Sequence, residues 1–407
     1  MIIQIAWKNI WRNKVRSLVV ILAIAFGLFG GLFTSALMNG MAKQRVELAI
    51  KNEISHIQIH NPQYLNNRDV GDTIKGVNKI MSFMHHIPEI KAVSERLKLA
   101  AMAATSTTGV GVIVNGVDPG TEKKVTQIYS EIKGNSGSYF DSKHANTVVI
   151  SQKLAGKIHA KLRSKIVLTL QSVDGSLVNA AFRVCGIYKT INTSFDEVNI
   201  YLRKDELSGL IGLEKGKAHE IAILLNNNDC TEAVTNKLKN HFPELDIKNW
   251  KEISPDLGIM TDFMTQMLFV IMLILLLAMC FGIINTMLMV VLERIRELGM
   301  LMSIGMNKIR IFYMIMLETV FLSLTGGILG IIMGKSAVSL FGKTGLDLSA
   351  FIQGFEAVGY SAVIYPSLDW SFYFELAVLV IAIGIIASVY PARKALKLNP
   401  AEAIRTI

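Results

Sequence analysis

The chain of 407 residues lacks most of what a soluble enzyme needs. Three cysteines cannot build a disulfide framework. Charged residues make up 18% of the chain, below the roughly 25% of an average soluble domain, and no low-complexity stretch occurs. A disordered, collagen-like or highly charged coiled-coil protein is thereby excluded. The catalytic signatures G-x-S-x-G, H-E-x-x-H and C-x-x-C are missing. Two segments come near a phosphate-binding loop. Gly334-Lys335-Ser336 and Gly342-Lys343-Thr344 resemble its end, but the required first glycine falls on Leu329 and Ala337. Neither follows a strand, so neither predicts nucleotide binding. The eight histidines include His56 and His60 on one strand face and the adjacent His85 and His86. No cysteine or acidic cluster accompanies them at ligand spacing, so no metal site is expected.

What the chain has is apolar residues, 51% of the total. They concentrate in four runs, Leu18–Met38, Leu268–Leu292, Ile311–Met333 and Phe372–Val389. Each has at least 18 residues, enough to cross about 30 Å of hydrocarbon. The first run exceeds the usual 7–15-residue core of a signal peptide and no A-x-A-like cleavage site follows, so a retained anchor is expected.

A formal charge of +10 raises nucleic acid as a partner, but its distribution points elsewhere. Lys8, Arg12, Lys14 and Arg16 precede the first run. Arg294, Arg296, Lys308 and Arg310 sit between the second and third, and Arg393, Lys394, Lys397 and Arg405 follow the fourth. The positive-inside rule puts these segments in the cytoplasm, with both termini, and the segment between the first two spans outside.

The expected architecture is an integral membrane α-helical protein of four transmembrane helices. A large mixed α/β extracytoplasmic domain is inserted between helices one and two. The expected boundaries are an interfacial helix at 1–17, spans at 18–39, 263–292, 309–334 and 372–390, and an outer domain at 40–262. A cytoplasmic helix at 293–308, an outer loop at 335–371 and a cytoplasmic tail at 391–407 complete it. Within the outer domain Ile54–His60, Val110–Val117, Thr147–Ser151, Ile166–Leu170, Ala181–Tyr188 and Glu220–Leu225 read as strands, rich in Val and Ile. Gln152–Ala160, Lys204–Ile211 and Thr231–His241 read as helices, and Asp174-Gly175 as a hairpin turn. Cys185 and Cys230 are both external and could pair, but nothing in the sequence shows them close, and two free thiols are expected.

Residues 293–310 carry Ile295, Leu298, Leu301, Met302 and Ile304 as an apolar stripe, with Glu293, Arg294, Arg296 and Glu297 on the other side and Gly299 and Gly305 interrupting. This reads as an amphipathic helix at the membrane surface, either a connector on headgroups or a protein-docking ridge. The first eleven residues also read as interfacial, with Ile3, Trp7 and Ile10 on one face. Gly27 and Gly31 form one small-xxx-small pair, and Gly326, Gly330 and Gly334 form two more. Such spacing serves helix packing within the chain or between copies. Glu318 and Asn285 are intramembrane polar residues; the carboxylate calls for a basic partner, a snorkelling path or a function.

The pattern E-R-x-R-E-[IL]-G-x-[LM]-x-[AS]-[IL]-G occurs at Glu293–Gly305. An intramembrane Glu318 and G-G-x-x-G at Gly326, Gly327 and Gly330 follow, and the chain closes on Y-P-A-R-[KR]-A-x-x-x-x-P-x-[ED]-A-[IL]-R at Tyr390–Arg405. Together these resemble the FtsX-like/MacB-type permease family of ABC transporters. The start, WKNIWRNKVRS at Trp7–Ser17 and HIQIHNPQY at His56–Tyr64, is similar to the lipoprotein-releasing (Lol-type) branch. The resemblance implies a non-catalytic membrane subunit with no cofactor of its own. A separate cytoplasmic ABC ATPase, which binds ATP and Mg, docks on Glu293, Arg294, Arg296, Glu297, Leu298, Gly299, Ile304 and Gly305, the coupling helix. It further implies a second permease, homo- or heterodimeric, in a bacterial inner membrane, and mechanotransmission by the first two helices to the outer domains. The implied clients are lipoproteins passed to a periplasmic carrier, with peptide or antibiotic efflux as the alternative. Without the resemblance, a non-transporting receptor that signals through its outer domain also fits.

Overall fold

The computed structural model describes residues 2–140, 145–351 and 359–396. In chain order it has α1 (Ile2–Arg12), α2 (Lys14–Ala49), a π-helical turn (Ile50–Ile54), β1 (Ile57–His60), α3 (Tyr64–Asn67), α4 (Val77–Met84), β2 (Ile90–Ala104), β3 (Gly109–Val117) and α5 (Pro119–Val125). There follow β4 (Thr147–Ser151), α6 (Gln152–Lys157), β5 (Lys165–Gln171), β6 (Leu177–Tyr188), α7 (Thr193–Val198), β7 (Asn199–Arg203) and α8 (Lys204–Ile211). Next come β8 (Glu220–Leu225), α9 (Thr231–His241), β9 (Asp246–Asn249) and α10 (Trp250–Ile253). The chain continues through α11 (Pro255–Glu293), α12 (Ile295–Ser303), α13 (Lys308–Thr344), β10 (Leu346–Asp347), β11 (Val363–Ile364) and α14 (Trp370–Leu396). These elements form two compact units. One comprises Met1–Ala42, Asp262–Asp347 and Val363–Ile407; the other comprises Lys43–Thr261 and Leu348–Ala362.

The four apolar runs lie in α2, α11, α13 and α14, each long and apolar enough to cross a membrane. All are longer than the expected spans. Hydropathy marks only the lipid-compatible part, and good helix formers such as Lys43, Gln44, Arg45 and Glu47 carry the α2 helix on to Ala49. α13 likewise runs to Thr344, where Gly345 at φ +74° ends it, ten residues past the expected boundary. The two phosphate-loop near misses thus lie in a helix and not in a loop. The closing motif begins inside α14, which passes through Pro391; its residues from 397 on lie outside the described residues.

The second unit is built on a nine-stranded sheet in the order β3-β7-β4-β6-β5-β2-β8-β1-β9, with β3 also paired to β2. That extra pairing closes six strands into a barrel around Leu97, Val114, Ile150, Leu168, Val184 and Leu202, all fully buried or nearly so. β2 has 15 residues and serves twice. Its first half pairs with β8, and its second half pairs with β3 and β5. The β2-β8-β1-β9 extension has its own core, in which Ile59, Ile221 and Ile223 pack with Ile80 of α4 and Leu238 of α9.

Four of the expected strands match β3, β4, β5 and β8 to within a residue or so, and β6 begins four residues early at Leu177. The Asp174-Gly175 turn joins β5 to β6, with Gly175 at φ +83° and Asp174 Oδ1 accepting from Ser176 N at 3.0 Å. Two readings need correction. Ile54–His60 is not one strand, because the helix entering it widens into the π turn at Ile50–Ile54 and only Ile57–His60 is extended. The helix expected at Gln152–Ala160 stops at Lys157. β2, β7 and β9 were not expected. β2 carries Lys91, Glu95, Arg96, Lys98 and five alanines, residues with little strand preference.

Tertiary partners make the β2 strand possible. The Arg96 guanidinium is 5% exposed and lies between two carboxylates that are fully buried. Nη2 and Nε reach Glu122 at 2.8 and 3.1 Å, and Nη1 reaches Glu220 at 2.6 Å. Ser94 and Thr126 also donate to Glu122, at 2.7 and 3.1 Å. Burial alone would raise the Glu220 carboxyl, but Lys98, Arg96 and His60 outweigh it and hold the group down to about 2.

The outer ends of α2 and α11 belong to this unit. Val46, Ala49 and Ile50 pack with Val125, Ala222, Leu224, Trp250 and Leu257 in one buried cluster.

Candidate subunit-docking site at the helix corner

α11 ends at Glu293 and α12 begins at Ile295. The one residue between them, Arg294, has φ −99° and ψ 15°, outside the helical range. Its side chain turns inward and is 14% exposed. Nη1 donates to both oxygens of Glu318 at 3.1 Å, and Nε donates to Glu297 at 3.0 Å. Glu318 is 5% exposed. It sits about 15 Å along α13 at 1.5 Å per residue. Asn9 Nδ2 of α1 donates to its Oε1 at 2.6 Å. The intramembrane carboxylate therefore meets a guanidinium and an amide, which removes most of the cost of an isolated charge in hydrocarbon.

Two further ion pairs tie α1 and the start of α2 to this corner. Arg12 Nη2 contacts both oxygens of Glu297 at 2.6 Å, and Arg16 Nη2 donates to Glu293 Oε1 at 2.6 Å. The register is antiparallel: Arg12 and Arg16 are four residues apart, as are Glu293 and Glu297. Asn9, Arg12, Arg16, Arg294 and Glu318 line a cleft of about 40 Å³ together with Asn13, Ser17 and Thr286.

The proposed docking residues divide by burial. Leu298 is 2% exposed and belongs to the chain's own core with Ile10, Met287 and Ile311, and Gly299 beside it is buried. Their inward position follows the helical period, and it removes them from any surface open to another subunit. Arg294 is likewise turned in. Glu293, Arg296, Met300, Ile304 and Gly305 are exposed, Ile304 at 79%. Ile304 thus leaves the apolar stripe: α12 ends at Ser303, and Gly305 at φ +95° turns the chain away. Asn307 then caps α13 by accepting from Ile309 N at 3.0 Å.

Within α1, Ile10 is buried, while Ile3 and Trp7 are 60% and 43% exposed. The Trp7 ring meets Phe321 edge-on at 5.6 Å.

Three of the five glycines pack α13 on α2. A β-carbon at Gly326 would lie 3.0 Å from the Ile21 carbonyl oxygen, and one at Gly330 would lie 2.9 Å from that of Ala25. At Gly334 it would meet Leu32 at 2.7 Å. Gly31 faces the side chain of Leu275 on α11. Gly27 differs: it is exposed and a β-carbon there would meet nothing within 4 Å, so it is no packing glycine within this chain. Asn285 also lies on the exposed side of α11.

Three histidines of the outer unit, His56, His60 and His219, are held by structural contacts. His56 Nδ1 accepts from Leu225 N at 3.1 Å, and burial lowers its pKa to about 4. His60 and His219 stack on either face of Tyr64, with centroids 5.7 and 5.0 Å away. No group of three or more His, Cys, Asp or Glu side chains converges among the described residues. None of Cys185, Cys230 and Cys280 forms a disulfide, and Cys185 Sγ donates to the Val148 carbonyl at 3.4 Å.

Asn9, Arg12 and Arg16 are the site residues that reading the sequence missed. The basic tail reads as an orientation signal. Its i,i+4 spacing, complementary to that of Glu293 and Glu297, was the available clue.

Two family models match the chain: the MacB-like periplasmic core domain over residues 17–241, and the FtsX-like permease C-terminal over residues 269–400. An uncharacterized ABC transporter permease of Bacillus subtilis, YknZ, is 26% identical over 99% of this chain and 98% of its own length. The macrolide export ATP-binding/permease protein MacB of a Shewanella species is 22% identical over 96% of this chain, which spans 58% of that relative's length. An uncharacterized permease of Methanocaldococcus jannaschii is 30% identical over 55% of each chain. Among solved structures, the periplasmic region of MacB from Actinobacillus actinomycetemcomitans overlays 50% of this chain with a TM-score of 0.34 at 13% identity. It covers 92% of that structure.

Proposed function

Because the chain belongs to the FtsX-like/MacB-type permease family of ABC transporters, we propose that it couples ATP hydrolysis in a separate ATPase subunit to release of lipoproteins from the outer face of the cytoplasmic membrane. The observation that carries this reading is the α11–α12 corner. It presents Arg296, Met300 and Ile304 outward as a docking ridge, and it is braced from within by Arg294 and Glu318. A partner that pushes on α12 pushes on a body that cannot easily deform. The outer ends of α2 and α11 share one buried cluster with the sheet of the outer unit, so their motion has something to act upon. In this reading the chain performs no chemistry; ATP and Mg are bound by the partner.

Both termini and α12 lie on the cytoplasmic side in this proposal, on the strength of the basic residues flanking them. A second permease completes the assembly. α11 supports this, since it is the least covered of the four spans, with 17% of its apolar window buried and Asn285 on its exposed side. An exposed amide in hydrocarbon is best satisfied by a neighbouring helix.

The client is lipoprotein in the leading reading, from the Lol-like patterns at Trp7–Ser17 and His56–Tyr64. The macrolide-export relatives favour a second reading, export of antibiotic or peptide by the same mechanics. Depletion of the chain separates the two. Retention of lipoproteins in the inner membrane supports the first, and drug sensitivity with normal lipoprotein sorting supports the second. Co-purification from nanodiscs tests the architecture common to both: an ABC ATPase should accompany the chain, and its absence would favour a receptor instead.

A further inference from the structure

The membrane unit contains two helix corners, and each breaks at a single residue. One is Asn13, between α1 and α2; the other is Arg294, between α11 and α12. A one-residue break between two helices is a natural hinge, because the i→i−4 ladder is interrupted there. Both hinges are pinned. Across the first, Ser17 Oγ donates to the Ile10 carbonyl at 2.5 Å. At the second, the hinge residue's own guanidinium is held by Glu318 and Glu297. The two corners are also tied to each other by Arg12–Glu297 and Arg16–Glu293, and by Asn9, which shares Glu318 with Arg294.

We propose that Glu318 is a positioning residue. Through Arg294 and Asn9 it locks the α11–α12 corner to the α1–α2 corner, so a displacement of α12 reaches α2 and α11 together and is not lost by bending at residue 294. Satisfying one buried carboxylate needs fewer partners than this. The Arg12–Glu297 pair is nearly half exposed on each side, so its contribution to stability is small. Its register, and that of Arg16–Glu293, constrains geometry: each pair spans both corners and none lies within one helix. Deleting a clamp residue should leave the helices inserted and loosen the relation between α1 and α12.

The inference rests on the reading that α12 receives an ATPase, and its test has one arm free of that reading. Spin labels at Lys8→Cys and Met300→Cys, in full-length chain without the three native cysteines, report the α1–α12 distance in proteoliposomes. The parent should give one narrow distribution. Glu318→Gln, Arg12→Glu and Arg16→Glu should each widen it at least twofold, and the charge swap Arg16→Glu with Glu293→Arg should narrow it again. The second arm uses the co-purified ATPase with ATP and vanadate, and reads the change in accessibility of a label at Lys43→Cys. Glu318→Gln and Arg12→Glu should retain the ATPase and lose most of that change, at least fivefold. Unchanged widths and an unchanged vanadate response would overturn the clamp. If Glu318→Gln fails to insert, Arg12→Glu, Arg16→Glu and the Arg16–Glu293 swap decide the matter. A parent chain that captures no ATPase overturns the docking reading, while the distance arm still judges the clamp.

Discussion

Gly330 and Gly27 both belong to small-xxx-small pairs in apolar helices, yet the same substitution should affect them differently. A β-carbon at Gly330 would lie 2.8 Å from Leu28 Cβ, 2.9 Å from the Ala25 carbonyl oxygen and 3.1 Å from Ala25 Cα. Two of these three neighbours are backbone atoms, so no side-chain rotation relieves the overlap. α2 and α13 must part by roughly half an ångström to an ångström, and overpacking of this kind costs about 1–3 kcal/mol. At Gly27 nothing lies within 4 Å. Replacing glycine by alanine inside a helix is itself favourable by about 1 kcal/mol, and comparing the two variants cancels that gain. Gly330→Ala should therefore be less stable than Gly27→Ala by about 1–3 kcal/mol, a factor of roughly 5–150 in the unfolding equilibrium. Steric trapping in bicelles, with tags on α2 and α13, measures that equilibrium directly. Equal stability of the two variants within about 0.5 kcal/mol would refute the packing argument. Gly31→Ala is a useful third point: it meets only the end of the Leu275 side chain, which can turn aside, so it should fall between the two.

Other outcomes follow from the outer unit and the docking ridge. Arg96→Ala leaves the buried carboxylates of Glu122 and Glu220 without their guanidinium, and should cost the outer unit about 3–5 kcal/mol, read by chemical unfolding. His56 is held near 4 by burial and has an ordinary value of about 6.5 when unfolded, so the folded state binds fewer protons. Stability should then fall as pH drops from about 6.5 toward 4, by on the order of 1–2 kcal/mol at pH 5, and hydrogen exchange of β1 and β8 should show it. Asp196 opposes this loss. Burial raises its carboxyl to about 6 against the Thr190 hydrogen bonds, so the group favours the folded state as pH falls below 6. Asp196→Asn should consequently lose more stability between pH 7 and 5 than the parent. Ile304→Glu should weaken ATPase capture roughly tenfold, about 1.4 kcal/mol, with insertion intact. Gly299→Trp should instead disturb the chain's own packing, because Gly299 is buried.

The α12 segment shows how far residue order alone carries the site. Its amphipathic period and glycines are visible in the sequence, and they mark a short helix there. Which polar residues point outward is not visible. Arg294 and Glu297 look like surface charges in a linear reading. Arg294 turns inward to a carboxylate 24 residues later, and that pairing depends on how α13 returns past the end of α11. The basic tail is a second instance. Its charge indicates orientation by composition alone, while its pairing with Glu293 and Glu297 requires the chain to fold back across more than 270 residues. β2 is a third: its charges and alanines argue against a strand until Glu122 and Glu220 are in place to receive Arg96.

The sequence by itself determined the class of molecule. Length and continuity of apolar runs are local quantities, and lipid permits few solutions to them, so four spans and a polar outer domain follow from residue order. The short motifs determined the family for the same reason, being contiguous. Tertiary structure decided which glycines pack and which face outward. It decided where the π turn interrupts the entry to β1, how one long strand joins a barrel to the rest of its sheet, and that the basic tail closes on the α11–α12 corner. Each of these depends on groups distant in the chain meeting at 3 Å, where a single carboxylate or carbonyl oxygen changes the cost of burial, and no local pattern carries that information.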